Sequence, residues 1–184
     1  VKTIIDEAAD EITLNDIVSI LKKTNENIPV SQTLQKLVSK MLIFRTDMGT
    51  YLNFNKAINL CDKDEVKEKL SILLNRYEFI TMAFLREEIN EELGYNLSSF
   101  YYDTLSRILA NENSWFYGSN YLSKKKEKSL SLDKYIKENY DENLSTDENF
   151  EIISSKVGIS LIYFKNFIYK TKQNFNTDWI HQHD

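Results

Sequence analysis

Cysteine, proline, glycine and histidine are all scarce in this chain: one, one, four and two among 184 residues. A single cysteine, Cys61, excludes an internal disulfide and a cysteine-rich zinc site, and it fits a reducing, cytoplasmic location. The two histidines, His181 and His183, stand in a terminal His-Gln-His-Asp. A metal site would need further rigid ligands, which a tail does not supply. So little proline and glycine argues against long coil and against an all-β fold. No apolar run approaches the ~18–20 residues of a membrane span. The opening stretch is acidic and polar, unlike a signal peptide. It begins with Val1 rather than Met, which fits an excised or processed piece of a longer protein. There is no Gly-rich phosphate loop, no His-Glu-x-x-His and no Gly-x-Ser-x-Gly. These absences predict a protein that is not an enzyme, needs no cofactor or metal and does not enter a membrane.

What is present is apolar and aromatic material enough for several small cores, 42% and 12% of residues, which excludes whole-chain disorder. The net charge is −5, spread as 0 over residues 1–60, −2 over 61–126 and −3 over 127–184. No block is basic overall, so any basic surface has to be local.

One pattern occurs twice. Thr13 to Phe54 and Thr81 to Lys124 each read as capped helix, turn, second helix and glycine-tipped hairpin. Thr13 and Thr81 lie 68 positions apart, as do Ser31 and Ser99, while Gly49 and Gly118 lie 69 apart. That length suits a small domain better than a solenoid repeat. In the first copy Thr13 caps a helix with Asp16 three residues on, and Leu14, Ile17, Ile20 and Leu21 form its apolar stripe. Pro29 forbids continuation, and Ser31 is expected to cap a helix buried through Leu34, Leu37, Val38 and Met41. Gln32, Gln35, Lys36, Ser39 and Lys40 then point outward. Residues 55–64 read as a polar connector, and a helix follows from about Glu65 to Tyr77, buried through Val66, Leu70, Ile72 and Leu73. Asp62 and Asp64 suit its N-terminal turn.

In the second copy Thr81 caps, Gly94 stops the helix, and Ser98 or Ser99 starts the next, with Tyr101, Leu105, Ile108 and Leu109 inward. Ser99, Asp103, Ser106 and Arg107 are expected outward. Lys124-Lys125-Lys126, with Lys128, form a linker. Beyond it come a segment from Leu132 to Tyr140, a helix marked by Phe150, Ile152 and Ile153, and a Val157-Gly158-Ile159-Ser160 turn. A last helix follows, with Leu161, Phe164, Phe167 and Ile168 inward and Lys165, Asn166, Tyr169, Lys170 and Lys172 outward.

Residues 13–54 and 81–124 resemble two winged-helix domains, and residues 146–172 resemble a simpler helix-turn-helix through the Gly158-Ile159-Ser160 turn. The resemblance implies a mainly α fold with small β-hairpin wings: one winged-helix unit over 1–60, a second over 61–127 and a helix-turn-helix unit over 128–184. It implies DNA binding, as a transcriptional regulator or as the recognition module of a larger protein. In that family the second helix of a pair enters the major groove and the wing touches the backbone. Carried onto this chain, Gln32, Gln35, Lys36 and Lys40 would face base edges, and Arg45 on the first wing would meet phosphate. Arg107 would be the second unit's contribution, Lys124, Lys125 and Lys126 would grip phosphate beyond the second wing, and the last helix would present Lys165, Asn166, Tyr169, Lys170 and Lys172. A solvated polar face is the competing reading of each helix.

Glu87, Glu88, Glu91 and Glu92 oppose part of this picture, because phosphate would repel them. Either their helix points away from nucleic acid or the second unit binds protein. Acidic tandem winged helices also resemble the accessory subunits of chromosome-condensing complexes, so a protein-interaction scaffold is the alternative function. The expected partners are double-stranded DNA and, through the acidic second unit, a protein; the oligomeric state stays open. Whether Lys36, Lys40, Lys126, Lys165 and Lys170 share a face discriminates between the two: if they scatter, nucleic-acid binding loses most of its support.

Overall fold

The structure, a computed structural model, describes residues 1–24, 26–118, 120–125 and 132–180, with side chains to 171. It is mainly helical, with two small antiparallel sheets. The first stretch runs α1 (Lys2–Glu7), β1 (Ile12–Thr13), α2 (Leu14–Lys23), α3 (Val30–Ser39), β2 (Ile43–Asp47) and β3 (Thr50–Asn53). After the short α4 (Phe54–Ala57) the same order returns as α5 (Lys63–Arg76), β4 (Ile80–Thr81), α6 (Met82–Leu93), α7 (Ser99–Asn113), β5 (Phe116–Gly118) and β6 (Tyr121–Ser123). The remainder is α8 (Leu132–Asn139), α9 (Thr146–Ser154) and α10 (Leu161–Ile180). Sheet order is β1-β3-β2 and β4-β6-β5, so both copies share one topology. The two-residue strands β1 and β4 are too short to leave a period in the sequence.

Local chemistry sets the helix ends. Thr13 and Asp16 form a reciprocal capping box on α2, and Ser145 and Glu148 form another on α9. Asp62 accepts from the Asp64 and Glu65 amides at the start of α5. Gly94 ends α6 at φ +72. Helix α3 starts at Val30, one residue before the expected Ser31 cap, because Pro29 already carries a fixed φ at the N-cap position. The second hairpin also turns differently from expectation. Asn120, at φ 66, takes the left-handed position, while Gly118 is a paired strand residue lying against the Tyr121 ring, where a Cβ would collide.

Four burial expectations are corrected. Ile72 is 56% exposed: α5 buries Val66, Leu70, Leu73 and Leu74, a stripe that leaves position 72 on the far side. Residues 55–64 are not a plain polar connector, since α4 lies there and Ala57 and Cys61 are buried. Leu161 is exposed, because Phe164 and Ile168 take the inward positions. Ser106 is buried, because α7 is covered from two sides.

That double cover organises the molecule. The first core gathers Ile5, Ile17, Leu21, Leu34 and Ile43. The central one joins Phe44 and Leu52 of the first hairpin to Val66, Leu85, Tyr101, Leu105 and Leu109. Phe44 and Tyr101 stack with centroids 5.0 Å apart, and the Tyr101 hydroxyl donates to the Ala57 carbonyl at 2.8 Å. A third core joins Phe79 and Tyr121 to Ile136, Ile153, Val157 and Phe164.

Gly158 makes the third attachment. Its amide donates to the Phe79 carbonyl, and its carbonyl accepts from the Thr81 amide, both at 2.8 Å, so the α9–α10 turn adds a parallel bridge to β4. A Cβ there would lie 2.6 Å from the Phe84 ring and 2.7 Å from Ile80 Cγ2. Gly158→Ala should therefore destabilise the fold by about 1–3 kcal/mol through overpacking. A thermal unfolding midpoint equal to that of the parent chain would show that this attachment carries no such constraint.

Candidate nucleic-acid interface

The first unit's second helix, α3, is anchored inward by Leu34 and exposes Gln32, Gln35, Lys36, Ser39 and Lys40. Across from it runs the β2–β3 hairpin, whose register slips between Arg45 and Asp47 and whose tip carries Met48, 79% exposed. Between α3, this hairpin and α7 lies a groove of about 870 Å³. Gln32, Gln35, Lys36, Arg45 and Arg107 all line it, so the structure brings five of the expected contact residues together. Lys40, Lys124, Lys125 and the α10 residues do not line it. Lys126 and the Lys172 side chain lie outside the described residues.

The three cations of the groove are in different states. Arg107 is neutralised: its Nη2 lies 3.2 Å from Asp103 Oδ2, and its guanidinium sits 4.6 Å from the Tyr117 ring centroid. Asp103 in turn accepts from the Tyr117 hydroxyl. Burial, reinforced by that bond, pushes the Tyr117 hydroxyl far above its ordinary 10.0. Lys36 and Arg45 form no ion pair among the described residues. The Arg45 guanidinium lies over Phe100, 4.0 Å from its centroid, and its Nε is buried without an acceptor among the described residues.

The internal repeat compares α3 with its counterpart. An offset of 68 sets Gln32 against Phe100, Thr33 against Tyr101, Lys36 against Thr104 and Lys40 against Ile108. On α7, Tyr101, Thr104 and Ile108 are buried beneath the first hairpin, and the Ser98 hydroxyl at the helix start donates to the Thr46 carbonyl. On α3 the same positions are the polar Thr33, Lys36 and Lys40; Thr33 is half-buried, and Lys36 and Lys40 are exposed. These positions are buried on α7 and more open on α3.

The remaining candidates lie outside this groove: of the described lysines expected on one face only Lys36 lines it, which counts against nucleic-acid binding. Lys124 donates to Asn75, and Lys125 is exposed at the end of β6. On α10, Asn166, Tyr169 and Lys170 are exposed, while Lys165 pairs with Asp147 at 2.8 Å. The acidic helix α6 lies on another surface. Glu87 and Glu91 meet Glu11 and Asp47 around a cleft of about 790 Å³ that also holds Arg86. Glu92 is paired with Lys69. Among the described residues no group of three potential metal ligands forms, and no helix is long and apolar enough to cross a membrane.

Sequence reasoning missed Phe100 and Tyr117 as partners of the two arginines. The signal was the run Phe100-Tyr101-Tyr102, since three successive helical residues cannot all face one core.

The α7 surroundings also make a pH dependence. Burial raises the Cys61 thiol above 9.0 and the Tyr101 and Tyr102 hydroxyls above 10.0. In the unfolded chain these groups ionise first. The stability they contribute is complete below their unfolded values and is lost as pH rises toward the folded ones. The urea midpoint should fall from about pH 9 upward. A midpoint that stays level to about pH 11 would contradict the burial of these groups. Cys61 should also resist alkylation until the chain is unfolded.

Comparison with protein-family models, with curated proteins and with solved structures finds no match to this chain.

Proposed function

We propose that this chain binds double-stranded DNA as a tandem winged-helix module, with the first unit as the reading head. The observation that carries the reading is the open polar face of α3 beside Arg45, which has no ion pair among the described residues, where the equivalent α7 positions Phe100, Asp103, Thr104, Arg107 and Ile108 are buried or half-buried. Gln32 and Gln35 suit adenine edges, Lys36 suits guanine or phosphate, and Arg45 suits phosphate. Helix α7 adds Arg107 at the wall of the groove and does not itself enter DNA. Asn166, Tyr169 and Lys170 on α10 offer a second, separate contact, and two weak contacts in one chain reinforce each other through effective concentration.

Fluorescence anisotropy with a random-sequence duplex at two salt concentrations tests this. Binding should weaken steeply with salt, with a slope of about 0.9 per phosphate contact. Lys36→Glu should weaken binding about tenfold or more. Lys165→Glu with Lys170→Glu should weaken it further without lowering the melting temperature, because an exposed ion pair such as Lys165–Asp147 contributes little. No binding at tens of micromolar would defeat the proposal.

A protein-interaction scaffold is the second reading. The cleft where α6 places Glu87 and Glu91 beside Glu11 and Asp47 favours it, since those carboxylates would repel phosphate and attract a basic partner.

A further inference from the structure

Arg45 and Phe100 come from different copies of the repeat, one on β2 and the other on α7. The guanidinium carbon lies over the ring, 4.0 Å from its centroid, which restricts the arginine head. Its Nε is buried without an acceptor among the described residues, a cost of about 1–3 kcal/mol for such a donor. Lys36 lines the same groove from α3 and has no ion pair among the described residues. Asp103, the acid that lines this groove, is engaged by Arg107 and the Tyr117 hydroxyl. A planar fork beside an ammonium, with the nearby carboxylate already occupied, is the donor set for a tetrahedral oxyanion. A pre-oriented arginine also loses less freedom when it binds.

We infer that this groove is a phosphate site: Arg45 supplies the fork, Lys36 the second charge, and Phe100 acts as the positioning residue that aims Arg45. The site is composite, because docking of the second copy onto the first hairpin creates it. The inference rests on the nucleic-acid reading only for the source of the phosphate. A phosphodiester backbone and a free phosphate compound present the same oxygens.

The test is a titration of the full chain, labelled with nitrogen-15, following the arginine Nε signals. Inorganic pyrophosphate is the probe in one arm and a short DNA duplex in the other. The Arg45 signal should move saturably in both arms, and that of Arg107 less. Arg45→Gln should abolish pyrophosphate binding and lower the duplex salt slope by about 0.9. Phe100→Leu should weaken both ligands about two- to fivefold while leaving the salt slope intact, and Phe100→Tyr should restore affinity. A merely structural Phe100 would change the unfolding midpoint without this split between affinity and slope.

Pyrophosphate binding at Arg45 with no duplex binding would sink the DNA proposal and leave the phosphate site standing with a free phosphate compound as ligand. Duplex binding that ignores Arg45→Gln and Phe100→Leu would overturn the site and leave the DNA reading to α10. An Arg45 signal unmoved by either probe also overturns it.

Discussion

Packing of the first hairpin onto α7 is the constraint on which the rest of the molecule depends. Phe44 stacks on Tyr101, Arg45 on Phe100, and the Thr46 carbonyl takes the Ser98 hydroxyl. Three successive strand residues thus make contacts with the start of one helix. The buried apolar area supplies the driving force, and the polar contacts fix the register. The result is a central core shared by both copies of the repeat.

This packing separates two helices that the sequence pattern makes equivalent. Helix α7 packs under the hairpin and becomes a core element, with Ser106 and Thr104 buried along with Tyr101 and Tyr102. Helix α3 keeps its outer face in solvent. The same event creates the groove, since its walls are α3, the hairpin and the edge of α7 that remains uncovered. The division of labour proposed for the two units follows from which face had to be apolar to dock. The acidic α6 lines a different cleft, so the proposed DNA surface and the proposed protein surface need not compete.

Much of the fold was legible because it rests on local signals. Thr13 and Thr81 cap as their side-chain chemistry requires, Gly94 ends α6, and the first hairpin stands where its turn residues put it. Placing α3's polar residues outward needed only the helical period. The docking of the copies was not legible, because it depends on contacts between residues far apart in sequence. Ser106 was therefore expected outside and lies inside, and Arg107, expected outward as a contact residue, is held by Asp103 and Tyr117. Gly158 drew attention as a turn residue, yet its larger role is to let the turn approach β4.

Hydrogen–deuterium exchange of the full chain, with and without a saturating DNA duplex, reports whether α3 reads DNA while α7 is locked in the core. Added protection is expected on α3 and the β2–β3 hairpin, with α7 already slow to exchange in the free protein and unchanged by DNA. Protection confined to α6, or an α7 that exchanges rapidly in the free protein, would contradict it.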